Sequence, residues 1–302
     1  MPLSNSCPGH TPSLSMADLV LAQGTVRNAS FRDRVAAAAA AGFAGFGLAC
    51  RAYARLRDEG WSDAALRSVL DDAGVRLLET EGLLGFSSFG TVRSGPLAGR
   101  RYADPRSEQA AFAMADAFGV RHVMVNGAFE GALEPDAVEA FAGLCDRAAD
   151  HGLLVALEPV PCSTVPDLAA AVGVVTGAGR PNGGLCIDSW HLYRGGGDER
   201  SLEQVPADLV LVVQLDDGPV QPVDSHYLVD TMHHRQLPGE GELPLSAFLG
   251  VLRRTGVRAP VSVEVLSDTL DARAPAEVAA LAADATRRVL RESGIGPRGA
   301  AR

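Results

Sequence analysis

The sequence predicts one α/β domain, a closed (β/α)8 barrel, and two observations carry that prediction. Short apolar runs alternate eight times with longer, mostly alanine-rich runs of helical character. Strict alternation of this kind builds a parallel sheet with right-handed crossovers. The repeat also fills a chain of 302 residues with no shift in composition to divide it, which is about the length eight such units need. An open dinucleotide-binding sheet would show a glycine fingerprint after its first strand, and none is present.

Taken in order, 1–12 reads as a flexible tail and 13–293 as the barrel, with 294–302 a second tail. A weak first strand falls within 13–21. The alanine run over 31–41 predicts a helix stopped by Gly42, and 45–49 a second strand. Asp63 is expected to cap a helix to Ala73 with Gly74 as its stop, followed by a strand over 75–81. The glycine- and serine-rich segment 86–102 reads as a long loop. Helices over 107–118 and 135–151 flank a fourth strand over 121–125, and a fifth strand over 153–158 is halted by Pro159 and Pro161. A helix over 165–176 leads to the sixth strand, 184–187, which runs into Asp188. After a helical turn at 201–207, 209–217 is a near-continuous apolar strand of the doubly covered kind. The polar stretch 218–243 reads as irregular. A helix over 245–255, an eighth strand over 261–265 and a helix over 275–293 complete the pattern.

Composition narrows the function. With 47% apolar and 21% charged residues the chain can bury a large core. A net charge of −10 disfavours nucleic acid and anionic membranes as partners. No apolar run approaches the ~18–20 residues of a membrane helix, and the N-terminus lacks a basic region followed by an apolar one. Five scattered cysteines, with no paired spacing, suit a reducing compartment. A cytoplasmic protein acting on a small molecule is the expectation.

In such a barrel the chemistry sits at the C-terminal ends of the strands. Polar residues collect there: Glu79 and Glu81, Asn126, Glu158, Asp188 with His191, Gln214 with Asp216, and Glu264. Four of them, Glu158, Asp188, Gln214 and Glu264, end consecutive strands, which in a barrel lie ~4.8 Å apart. Carboxylates gathered around one point repel unless a cation neutralises them. Three carboxylates and an amide oxygen form a hard donor set suited to Mg²⁺ or Mn²⁺. His191, three residues beyond Asp188, is a candidate for substrate contact or proton transfer. The glycines at 195–197 lack the lysine and spacing of a phosphate loop and read as a plain loop. Arg235, followed by Gln-Leu-Pro-Gly-Glu-Gly-Glu, reads as a guanidinium that a rigid turn places over the barrel mouth.

These endings resemble the sugar phosphate isomerase/epimerase family of xylose isomerase-like TIM barrels. The resemblance includes Leu157-Glu158-Pro159, Ile187-Asp188-Ser-Trp-His191, the 235–243 segment and Val261-Ser-Val-Glu264. It implies one divalent metal held by Glu158, Asp188, Gln214 and Glu264, with Gln214 standing where a histidine is more familiar. It implies that Glu158 and Glu264 shuttle a proton beside a carbonyl through an enediolate, with a sugar or cyclitol-like substrate contacted by His191, Arg235, Glu81 and Asn126. Related members dehydrate a keto-cyclitol or 3-dehydroshikimate after the same first step, and such barrels often form homodimers. A non-catalytic barrel with a degenerate metal site and a repair endonuclease are the competing expectations.

Overall fold

The computed structural model describes residues 14–87, 90–129, 131–133 and 135–296; the expected tail over 1–12 lies outside them. Eight parallel strands close into a barrel. They are β1 (Leu19–Leu21), β2 (Gly45–Ala49), β3 (Arg76–Leu84), β6 (His122–Asn126), β7 (Leu154–Glu158), β8 (Gly183–Asp188), β9 (Val210–Leu215) and β10 (Val261–Val263). Two short strands, β4 (Gly90–Thr91) and β5 (Arg101–Tyr102), pair as a hairpin inside the segment expected to be loop. Two residues per strand are too few to leave a periodic signal.

The helices are α1 (Phe31–Ala40), α2 (Cys50–Asp58), α3 (Asp63–Ala73), α4 (Pro105–Phe118), α5 (Ala137–Ala149), α6 (Leu168–Ala178), α7 (Ser189–Arg194), α8 (Glu199–Glu203), α9 (Tyr227–His233), α10 (Leu245–Thr255), α11 (Asp268–Asp271) and α12 (Pro275–Glu292). Four of them end on a glycine in the left-handed region, Gly74, Gly119, Gly179 and Gly256, where a side chain would be strained. The cap of α3 is Ser62, whose hydroxyl accepts from the Ala65 amide, and Asp63 is the first helical residue. Helices α2, α7, α9 and α11 add to the predicted set. Ile295, beyond α12, is buried against the core, and no helix among the described residues is long and apolar enough to cross a membrane.

The side-chain period of two sets what faces the barrel axis. Met124, Ala156, Cys186 and Val212 form one buried apolar layer from four neighbouring strands. Two residues further along the same strands stand Asn126, Glu158, Asp188 and Gln214. Register aligns them, with Asn126 opposite Glu158 and Asp188 opposite Gln214. Gly184 is required by this closeness, since a Cβ there would collide with the Leu209 carbonyl and the Leu211 side chain.

Candidate active site

The C-terminal mouth of the barrel opens into a cavity of about 950 Å³, lined among others by Glu81, Asn126, Glu158, His191, Gln214, Arg235 and Glu264. Of the residues expected to meet substrate or metal, Asp188 alone does not line it; Asp188 lines a neighbouring cavity together with His191, which borders both. Glu158, at the end of β7, is 7% exposed. Its Oε2 accepts from Asn126 Nδ2 at 2.5 Å, and its Oε1 lies 3.3 Å from His191 Nε2.

Asp188 has two tasks. Its Oδ1 accepts from the Trp190 and His191 amides at 2.6 and 3.3 Å and so caps α7. Its Oδ2 takes Arg235 Nη1 at 2.9 Å and lies 3.7 Å from His191 Nε2. Burial drives the Asp188 carboxyl upward, but the charges of Arg235 and His191 outweigh it and hold the group below the usual range. Glu158, Asp188 and His191 offer ligand atoms all within 4.8 Å of one another, a spacing that one divalent ion can bridge.

Gln214 is buried, and its Oε1 accepts from the Cys186 thiol at 3.2 Å. Glu264 follows β10, with Oε2 3.4 Å from Arg235 Nη1. Burial pushes its carboxyl well above the ordinary value against the pull of Arg235. Gly24 makes room for it, because a Cβ there would stand 3.2 Å from Glu264 Cγ. Glu81 accepts from the Gln23 amide at 3.2 Å, and burial with the nearby Glu79 raises it to about 7. The floor therefore holds an excess of carboxylates around one guanidinium, a donor set that fits a hard divalent cation.

Arg235 is 1% exposed. Nη1 is shared by Asp188, Asp216 and the Glu264 carbonyl, and Nε donates to the Thr231 carbonyl at 3.3 Å. The guanidinium lies at the cavity wall, bound to the carboxylates, rather than free above the mouth. The rigid turn that sets it is built on Asp217, which accepts from the Gly218, Gly239 and Leu243 amides at 2.8, 2.9 and 3.0 Å.

Sequence reasoning missed Tyr227, on α9. Its hydroxyl lies 2.6 Å from His191 Nδ1, and the two rings stack. It missed Asp216 as a partner of Arg235, though that acid was visible at the end of the strand. Trp190 is fully buried beneath Arg235, with Nε1 donating to Thr231 Oγ1 at 3.0 Å. The histidines at 226, 233 and 234 stay apart from the floor; His233 Nδ1 lies 2.8 Å from Asp268 instead.

A closed eight-stranded barrel with acids at consecutive strand ends defines a class of barrels whose chemistry sits at one mouth. Residues 35–291 match the family description of xylose isomerase-like TIM barrels, and the chain belongs to that family. Over 95 residues it is 34% identical to a 3-dehydroshikimate dehydratase of Pseudomonas putida, covering 32% of this chain and 15% of that protein. Over 135 residues it is 33% identical to an inosose isomerase of Bacillus velezensis, covering 44% of this chain and 47% of the isomerase. The matches thus span less than half the length of these enzymes. A zinc-bound IolI protein superposes with a TM-score of 0.77 at 20% identity, over 91% of this chain and 99% of that one, a likeness of fold.

Proposed function

We propose that the chain is a divalent-metal-dependent isomerase or epimerase that removes a proton from the carbon beside the carbonyl of a sugar-like or cyclitol-like substrate. The observation that carries this reading is the pair Glu158 and Glu264, which line one cavity floor from strands separated by β8 and β9. Two carboxylates placed this way can take a proton from one face of a carbon and return one to it or its neighbour.

In this reading Glu158, Asp188, Glu264 and the amide oxygen of Gln214 hold the metal, and their oxygen-only character favours Mg²⁺ or Mn²⁺. When bound, the ion polarises the substrate carbonyl and lowers the energy of the charge left by proton removal. Asn126 fixes Glu158 by holding Oε2, which leaves Oε1 for proton transfer. Arg235 positions Asp188 and Glu264 from behind. His191 contacts a substrate hydroxyl, and Glu81 bounds the cavity beside it.

The test is solvent-deuterium uptake into a panel of ketoses and cyclitol ketones with Mg²⁺ or Mn²⁺ supplied. Uptake should vanish in Glu158→Gln and Glu264→Gln while the fold survives, and full uptake in either variant would sink the reading. A second reading, dehydration of a cyclic keto-polyol, draws on the Tyr227 hydroxyl beside His191, which would supply the proton for a departing hydroxide. It also draws on the likeness to dehydratases. An ultraviolet-absorbing enone product distinguishes it, and deuterium exchange without loss of water excludes it.

A further inference from the structure

Beside the barrel mouth lies a second cavity, of about 610 Å³, which the proposed reaction does not use. It is bounded by the stretch 159–172, which enters α6, and by the stretch 187–205, which includes α7 and α8. Its volume falls within the ~300–1,000 Å³ of small-molecule sites. Among the described residues His191 alone lines both cavities, so the two spaces meet only at that side chain.

The walls are mostly apolar. The first stretch supplies Pro159, Leu168 and Val172, and the second Ile187, Leu192 and Val205. The polar side chains on the boundary are already bonded. Asp188 spends one oxygen on the start of α7 and the other on Arg235, and Asp167 accepts from the Ala170 amide at 2.8 Å. Ser201 Oγ donates to the Asp198 carbonyl at 2.7 Å. Gln204, exposed at the rim, is the polar side chain left without such a bond among the described residues.

The glycine run 195–197 also borders this cavity. A Cβ at Gly195 would stand 2.9 Å from the His191 carbonyl oxygen and from Pro161, and one at Gly197 would collide with Leu192. The run is thus folded back on α7, and its amides donate to the His191, Tyr193 and Leu192 carbonyls at 2.9 to 3.1 Å. None of these amides is left to hold an anion, and no side chain extends from the run into the cavity.

We infer that this second cavity is a binding site for a small uncharged compound built on an apolar ring, separate from the reaction cavity. Walls of this kind return little hydrogen bonding to water, so a carbon-rich molecule gains by displacing it. A rigid ring fills the space at a smaller entropic cost than a flexible chain. A carboxylate or phosphate would meet Asp167 and Asp188 with no cation or free backbone amide to offset them, and a polyol would exchange its bonds to water for few others.

Isothermal titration of the full chain with indole, indole-3-acetate and myo-inositol tests this. Indole should bind at least about tenfold more tightly than its carboxylate-bearing counterpart or the polyol. Ala169 is exposed in the first turn of α6, a turn that contains no acid, so Ala169→Glu brings a charge to the cavity edge where the helix favours one. That variant, with the thermal midpoint undiminished, and Val172→Phe, which adds bulk to the wall, should each weaken indole about tenfold or more. No measurable binding of indole, equal binding of indole-3-acetate, or an unaltered indole affinity in both variants overturns the inference. So does an indole affinity that is lost as the chain self-associates on sedimentation, which assigns the cavity to a second copy. Neither the probe nor the variants involve Glu158 or Glu264, so the inference stands or falls apart from the proposed reaction.

Discussion

Among the described residues the barrel contains two glutamate–histidine pairs of nearly equal geometry. At the mouth, His191 Nε2 lies 3.3 Å from Glu158; deeper in the barrel, His122 Nε2 lies 3.4 Å from Glu79. Their surroundings differ. Glu158 and His191 each have a further partner, Asn126 and Tyr227, and both line the open cavity. Glu79 and His122 are sealed at 0% exposure, and Glu79 Oε2 and His122 Nε2 have no hydrogen-bond partner. Glu79 keeps one bond, from Ser262 Oγ at 2.7 Å, and a Cβ at Gly47 would press on its carboxylate. Burial lifts Glu79 to about 7 and drops His122 well below its ordinary value. The same two residue types thus line an open cavity in one place, where the proposed reading gives them chemistry, and in the other are sealed with their charges suppressed.

The sharpest break of this comparison is a matched pair of variants. Glu158→Gln is expected to lower turnover by about a thousandfold, while Glu79→Gln should leave it within a few-fold; equal losses, read from steady-state rates, would erase the distinction. The next effect concerns stability. The raised folded-state value of Glu79 favours the native protein fully below the unfolded value near 4.5, and that contribution is lost as pH rises through about 7. Its size is on the order of 3 kcal/mol. Glu79→Gln should remove this decline, so denaturant midpoints between pH 5 and 8 should fall less with pH than in the parent. His122 acts oppositely: its lowered value contributes stability above the unfolded value of 6.5 that is lost as pH falls. His122→Ala, which leaves a cavity beside a buried acid, is expected to cost about 3 kcal/mol in the same experiment. The smallest effect is at the mouth. Tyr227→Phe, which keeps the ring and removes the hydroxyl from His191, should reduce turnover about tenfold with the thermal midpoint unchanged.

What the sequence revealed follows the same division. Strand endings were readable because an apolar run that stops on an acid is a local pattern, and Glu158, Asp188 and Glu264 each show it. Glycine stops such as Gly74 and Gly119 were readable because only glycine takes the left-handed conformation freely. Helix α2 was not, since it follows β2 directly and Ala49 gives no capping signal. The Tyr227 contact to His191 spans 36 positions and joins two helices that lie in loops by their composition. Nor could the sequence tell that Arg235 would be drawn in among Asp188, Asp216 and Glu264. Side chains that meet through tertiary packing leave no periodic trace.

The double duty of Asp188 has one more consequence. Because Oδ1 is tied to the first turn of α7 and Oδ2 to Arg235, the carboxylate has no rotational freedom left once the chain has folded. Its ordering is completed during folding, so in the proposed reading none is left to be done when an ion or a substrate binds. His191 lies in the first turn of the same short helix, and the hydrogen bond from its amide to Asp188 Oδ1 sets the acid and the imidazole in one fixed mutual placement.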